Sequence, residues 1–348
     1  AVDIPPTAVQ LRKLLNYAQM VQSHALSFFY LSAPDLLLGM DAPPESRNVV
    51  GLVNAEPELA RRWIRLRQFG QQLIEALGGK RIHNAWVVPG GVSEALKRST
   101  REDTLKAVPE ALEIAQDTLA LYKSILPKFV AEIESFANFP TMYMGLVTPD
   151  GGLEHYDGML RIVDENGKHV RDIPNDDYGQ SIGEAVEEFS YLKSPYYLPM
   201  GYPAGTYRVG PLARLHVAKH CGTPLADAEL EHFRQIPLAE RHSAFHYHYA
   251  RLIEIVHGIE RIREILEHPD ILDKHVRARA EPNANEGIGI MEAPRGTLIH
   301  HYRIDDNGIM TDLNLIVATG HNVLAMNRGV KQEAQRVVDG NRLTEGRL

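Results

Sequence analysis

Residues 142–173 read MYMGLVTPDGGLEHYDGMLRIVDENGKHVRDI, and this stretch sets the fold class. Met142 to Val147, Met159 to Val163 and His169 to Ile173 are short β-rich runs. Asp150-Gly151-Gly152 and Glu165-Asn166-Gly167 between them are turn signals, so the runs predict a small antiparallel meander at about 141–174. On both sides the apolar period is helical. Upstream, Val9, Leu11, Leu14, Leu15, Ala18 and Val21 predict a long helix over Thr7 to Tyr30 with one broad buried face. Pro57 to Leu77 predicts a second helix, closed by Gly78-Gly79, and Thr104 to Phe136 a third that Pro127 can kink or split. Downstream, helical patterning resumes after Pro211 and is strongest from Ala239 to Leu266. Asp306-Asn307-Gly308 between Gly287–Ile304 and Ile309–Ala318 predicts a hairpin at about 288–318, and a last helix spans Asn322 to Val338. Strands and helices do not alternate as in a dinucleotide fold. The expectation is α+β, mainly long packed helices with small antiparallel sheets, in one domain over 1–348.

The composition narrows the class. A chain of 348 residues, 44% hydrophobic, is long enough for one large domain or two closely packed ones. Lys plus Arg is 37 against 45 for Asp plus Glu, and no basic stripe argues for nucleic acid. The longest apolar stretches, such as Leu313 to Ala318, are far short of the roughly 20 residues of a bilayer span. Ala1 to Gln22 carries Pro5, Pro6 and charges where a signal peptide would be apolar, so a cytoplasmic protein without membrane contact is expected. The chain starts at Ala1 without Met and runs through Arg342 to Leu348 without a helix stop, as expected of a piece truncated at both ends. Cys221 is the only cysteine, which excludes disulfides, iron-sulfur ligation and thiolate zinc sites from this chain alone.

The segment richest in chemistry is Glu292-Ala293-Pro294-Arg295-Gly296. Proline fixes its own φ and restricts Ala293, while Gly296 lets the backbone turn, so Arg295 is offered from a stiffened loop. A permanently charged planar fork suits an anion or a polarised diatomic ligand. Pairing of Arg295 with Glu292 explains the same residues equally well.

Five ordered motifs carry a resemblance. They are His24 with Asp35; Gly78-Gly79-Lys80-Arg81-Ile82-His83 with Pro89-Gly90-Gly91; Ser190 to Tyr197; Val209-Gly210-Pro211-Leu212-Ala213-Arg214; and the Glu292 to Gly296 loop followed by Leu298 and His300. Together they resemble the large, catalytic subunits of nickel-iron hydrogenases, most nearly the cytoplasmic NAD-reducing, multisubunit type. The resemblance implies that fold, oxidation of H2, and a nickel-iron centre with cyanide and carbon monoxide ligands. As partners it implies NAD-reducing diaphorase subunits together with a small iron-sulfur subunit. It implies Arg295 over the open face of the metal pair with Asp35 bonded to it. Ala293 and Pro294 would line one side of a cyanide pocket, and Val317 with the Thr319 hydroxyl the other. Ala318 stands where the family often has proline. In the family, C-x-x-C pairs flank the region represented here and supply four thiolates. Cys221 matches neither pair, so no metal ligand, and no centre, is expected within this chain.

Competing readings stand beside these. The large peripheral-arm subunit of NADH-quinone oxidoreductase is a metal-free quinone-site and scaffold relative with an E-A-P-R-G loop. Its loop usually continues with Glu where Thr297 stands, and its H-G-K segment is absent. His242 and His246, four apart on an expected helix, could chelate a metal, but a packed or solvated helix explains them better without a third ligand. His300-His301 has strand spacing, which sends neighbours to opposite faces. Asp305 to Gly308 is acidic like a calcium loop, yet a hairpin turn suffices.

Overall fold

The computed structural model describes residues 3–279 and 284–338; the chain ends at 1–2 and 339–348, with the expectation attached to them, lie outside the described residues. The sequence pattern suggests one body, but the described residues gather into two compact units. One comprises 3–130, 251–279 and 336–338, the other 131–250 and 284–335.

The first unit is helical. Helix α1 (Pro6–Ala25) buries Leu11, Leu14, Ala18 and Val21 completely, and its first turn accommodates Pro6 where no intrahelical donor is needed. The expected helix to Tyr30 does not stay α: Leu26–Ser32 is a π-helical segment in which the Ala33 amide bonds back to Phe28 O. Such turns shift the helix face. Periodicity alone could not register that shift. Helix α2 (Ala33–Leu38) and α3 (Val49–Ala55) follow, the latter capped by Asn48, whose side chain accepts from the Val50 and Gly51 amides. Helix α4 (Pro57–Gly78) ends with Gly79 in the left-handed conformation. It approaches α1 so closely that a Cβ on Gly70 would lie 2.7 Å from Ala18 O. Trp63 of α4 stacks on Phe29 at 4.6 Å and donates from Nε1 to Thr118 Oγ1 at 2.9 Å. Strands β1 (Val87–Val88) and β2 (Gly91–Val92) form a minimal hairpin before α5 (Arg98–Ile125). Helix α5 begins six residues before the expected Thr104, and a 3-10 turn over Leu126–Phe129, holding Pro127, ends it.

The second unit begins at Ala131, within the short helix α6 (Val130–Ser135), and holds the larger sheets. Strands β3 (Met142–Val147), β4 (Met159–Val163) and β5 (His169–Ile173) form the meander at the expected bounds. Every residue of β3 is buried. Met142, Met144 and Leu146 point into one core, while Tyr143 and Val147 meet Ala213 and Val217 on the other face. Strands β6 (Ile182–Glu187) and β7 (Ser190–Tyr197) pair as a separate hairpin. Its exposed Val186 and Tyr191 and internal Pro195 blur the alternation that identifies a strand from sequence. Strand β8 (Tyr207–Arg208) runs parallel to β3 and leads into α7 (Pro211–Val217). Helices α8 (Pro224–Gln235) and α9 (Leu238–Arg241) precede α10 (Tyr247–Glu267), which belongs to this unit up to Ala250. The expected C-terminal hairpin is one strand richer: β9 (Glu286–Ala293), β10 (Gly296–Ile304) and β11 (Met310–Ile316) form an antiparallel sheet in that order, followed by α11 (Val323–Val337). Asp305 Oδ1 accepts the Asn307 and Ile309 amides, so the acidic loop is a hairpin turn.

Candidate functional site

Three sequence motifs meet at one end of the β9–β11 sheet. Pro294 and Arg295 form the two-residue turn joining β9 to β10, with Ala293 opposite Gly296. Ile299 pairs with Ile316, so β11 delivers Val317-Ala318-Thr319 to the same end. Val209-Gly210, at the start of α7, lies against the turn: a Cβ on Gly210 would sit 2.8 Å from Arg295 O, and one on Gly296 2.2 Å from Val209 Cγ2. Gly210 has φ +96° and Gly296 φ +143°, so glycine is required at both by conformation and by space. Asn322 Oδ1 accepts from the Val209 amide at 2.8 Å, and Tyr247 donates its hydroxyl to Val209 O at 3.0 Å, tying α7, α10 and the chain after β11 together.

Beneath the turn lies a buried ion pair. Arg214 Nη1 is 2.7 Å from Glu292 Oε2, and both side chains are 0% exposed. The second Glu292 oxygen accepts from Thr297 Oγ1 at 2.8 Å and the Leu146 amide at 3.1 Å. Arg214 also donates to Ala293 O at 3.1 Å and Pro294 O at 3.2 Å. A buried pair is tolerated when its remaining donors and acceptors are satisfied, as they are here. Glu292 therefore belongs to Arg214, and its pairing with Arg295 does not occur. Arg295 is exposed, and its guanidinium makes no hydrogen bond or ion pair with any described residue. Ala293 and Pro294 are half-buried beside it, while Val317 and Thr319 are exposed at the same sheet end. An unpaired planar cation, a hydroxyl and apolar wall residues at one sheet end can engage a small anion or a polarised diatomic molecule.

The other candidates are distributed differently. Asp35 stands in the first turn of α2, after the π-helical segment, with Arg47 Nε 3.3 Å from its Oδ1 and its side chain 47% exposed. His24 Nε2 is 2.7 Å from Glu254 Oε2, both buried. His242 and His246 do not share a helix. The first follows α9 and bonds through Nδ1 to the Tyr143 hydroxyl at 2.8 Å, and the second ends a 3-10 turn. Burial depresses His246 to about 4 and His216 to about 3, keeping both neutral. His300 bonds Tyr302, whereas His301 bonds Tyr178 and Glu286 on the opposite face. Cys221 is buried, its amide donating to Asp227. Among the described residues no group of three or more His, Cys, Asp or Glu side chains could hold a metal ion.

The segment ending in Arg214 is legible in the sequence, but the role of the arginine is not. The available signal is an arginine within Pro211-Leu212-Ala213-Arg214-Leu215: a lone cation on an otherwise apolar short helix needs a buried partner.

Comparison with known proteins bears on these features together. The family model described as nickel-dependent hydrogenase matches residues 152–334. The NAD-reducing hydrogenase HoxS subunit beta of Cupriavidus necator is 42% identical, the alignment covering 100% of this chain and 73% of that protein. A polypeptide of the vhu F420-non-reducing hydrogenase of Methanococcus voltae is 41% identical over 97% of this chain and 80% of its own length. In the crystal structure of an NAD+-reducing NiFe hydrogenase in the H2-reduced state, a chain 43% identical superposes with a TM-score of 0.95, covering 99% of this chain and 77% of that one. A NiFeSe hydrogenase from Desulfovibrio vulgaris Hildenborough shares the fold at a TM-score of 0.72 and 19% identity.

Proposed function

The chain belongs to the nickel-dependent hydrogenase family, and from that premise we propose that it forms the catalytic large subunit of a cytoplasmic enzyme that oxidises H2 reversibly and reduces NAD. Electrons would leave through a small iron-sulfur subunit to NAD-reducing diaphorase subunits, since one cysteine cannot hold a cluster chain. The similarity to an NAD-reducing relative along the whole chain supports this acceptor. No helix of the described residues is long and apolar enough to cross a membrane. The metal-free quinone-site alternative finds no support among the relatives named above.

The observation that carries the proposal is Arg295, without a partner among the described residues, at the sheet end that also receives Val317 and Thr319. That surface fits a metal pair bearing small anionic ligands, because it offers donors and apolar walls, and no carboxylate of the described residues is in hydrogen-bond contact with the guanidinium. We assign the thiolates that would hold the metals to segments outside residues 1–348, since Cys221 is a single cysteine and is buried. When bound, a nickel-iron centre with cyanide and carbon monoxide ligands supplies heterolytic cleavage of H2. Arg295 would present its fork to the reacting diatomic and help move its proton. Ala293, Pro294 and Val317 would exclude water around the ligands, and the Thr319 hydroxyl would donate to a cyanide nitrogen. Asp35 enters as a second site residue, on the resemblance of its segment.

The test is Arg295→Lys in the nickel-loaded full-length enzyme. Lysine keeps the charge and loses the rigid fork. Turnover is expected to fall on the order of a hundredfold, as for loss of one preorganised electrostatic group, with nickel content near normal. Near-wild-type hydrogen oxidation would remove Arg295 from the mechanism.

A further inference from the structure

We infer that Arg214 is a positioning residue for Arg295: from within the fold it grips the two carbonyls of the turn on which Arg295 stands, and Glu292 holds it in that pose. The inference rests on the proposed role of Arg295 and adds the element that keeps that side chain in place.

The turn needs such a hold. Two-residue hairpin turns favour forms with positive φ at one or both central residues, because these match the strand twist. Pro294 cannot adopt positive φ, and Arg295 is not among the residues that do. The Pro294-Arg295 turn therefore lacks the self-supporting geometry. Two carbonyls of the turn, Ala293 O and Pro294 O, are instead taken by Arg214 at 3.1 and 3.2 Å. One planar fork thus spans both peptide groups preceding Arg295, a pattern that a lysine ammonium reproduces poorly.

The surroundings are built for this arginine. Gly145 of β3 leaves room for its stem, since a Cβ there would lie 3.2 Å from Arg214 Cγ. Glu292, itself anchored by Thr297, the Leu146 amide and its own amide on His155 O at 2.8 Å, fixes the guanidinium from below. Stability alone does not account for the arrangement, because a well-packed apolar pair often serves a buried position as well as an ion pair does. A geometric role at the turn does account for it, through the bonds to the two carbonyls.

Arg214→Lys and Glu292→Gln in the nickel-loaded full-length enzyme test the inference, with Arg295→Lys and the doubles Arg214→Lys/Arg295→Lys and Glu292→Gln/Arg295→Lys alongside. Amide exchange of the peptide spanning 291–298 should accelerate in the two single variants while exchange in α7 and β3 stays near wild type. Turnover should fall roughly ten- to a hundredfold, as for a misplacement of about 1 Å, with the KM for H2 little changed. In each double the loss should not exceed that of Arg295→Lys alone, because a group acting through Arg295 has nothing left to position. Unchanged exchange at 291–298, or losses that multiply in the doubles, overturns the inference. If Arg214→Lys does not load nickel, Glu292→Gln decides by the same comparisons, since it keeps acceptors for Thr297 and Leu146 while weakening the grip on Arg214. If Arg295→Lys keeps full activity, the reading of Arg295 fails, and the exchange at 291–298 still reports whether Arg214 holds the turn.

Discussion

His246→Leu should make the protein less sensitive to acid. His246 is 2% exposed, neither ring nitrogen has a hydrogen-bond partner among the described residues, and burial lowers its pKa from 6.5 to about 4. Its folded pKa lies below its unfolded one. The unfolded chain therefore takes up a proton near pH 6.5 that the folded chain refuses until about pH 4. The stability tied to this side chain is complete above pH 6.5 and is lost as the pH falls toward 4. At pH 5 the unfolded imidazole is almost fully protonated and the folded one almost neutral, a difference of about 1.5 pH intervals at about 1.4 kcal/mol each, or about 2 kcal/mol. Urea unfolding of wild type and variant, followed by circular dichroism at pH 7 and pH 5, measures it. Carboxylates and the buried His216 contribute equally to both proteins and cancel in the comparison. Leucine loses no hydrogen bond at this position, so the variant should be at least as stable at pH 7. Between pH 7 and pH 5 it should lose about 2 kcal/mol less than wild type. An identical loss in both would mean that His246 titrates normally in the fold and would refute the argument from burial.

Asp35→Asn should lower hydrogen-oxidation turnover in the same direction as Arg295→Lys but less. If Asp35 serves only its partly exposed pair with Arg47, turnover stays unchanged and stability moves by about 0–1 kcal/mol. Gly296→Ala places a Cβ 2.2 Å from Val209 Cγ2 at φ +143°, so it should destabilise by at least about 1 kcal/mol and lower turnover by displacing the Arg295 turn; a neutral thermal melt and full activity would contradict the geometry. Residues 1–348 expressed alone should retain no stoichiometric nickel after dialysis, because one cysteine cannot reproduce a four-thiolate site, and metal analysis finding about one nickel per chain would overturn that expectation.

Short-range signals account for what the sequence determined by itself. The strands at 142–147, 159–163 and 169–173 are legible because short β-rich runs and the Asn-Gly or Asp-Gly turns between them act within a few residues. Helix α4 is legible for the same reason, from Pro57 at its start to Gly79 at its end. The Pro294-Arg295-Gly296 chemistry identifies a stiff turn bearing an arginine before any coordinate is known. The tertiary structure alone decided what that arginine does not touch and what holds it. Glu292 lies three residues from Arg295 yet pairs with Arg214, 78 residues away, because β9 turns its carboxylate inward to a site where desolvation demands a buried partner. The meeting of Val209-Gly210, Pro294-Arg295 and Val317–Thr319 is likewise a matter of strand register and close backbone approach, which emerge only when distant segments pack.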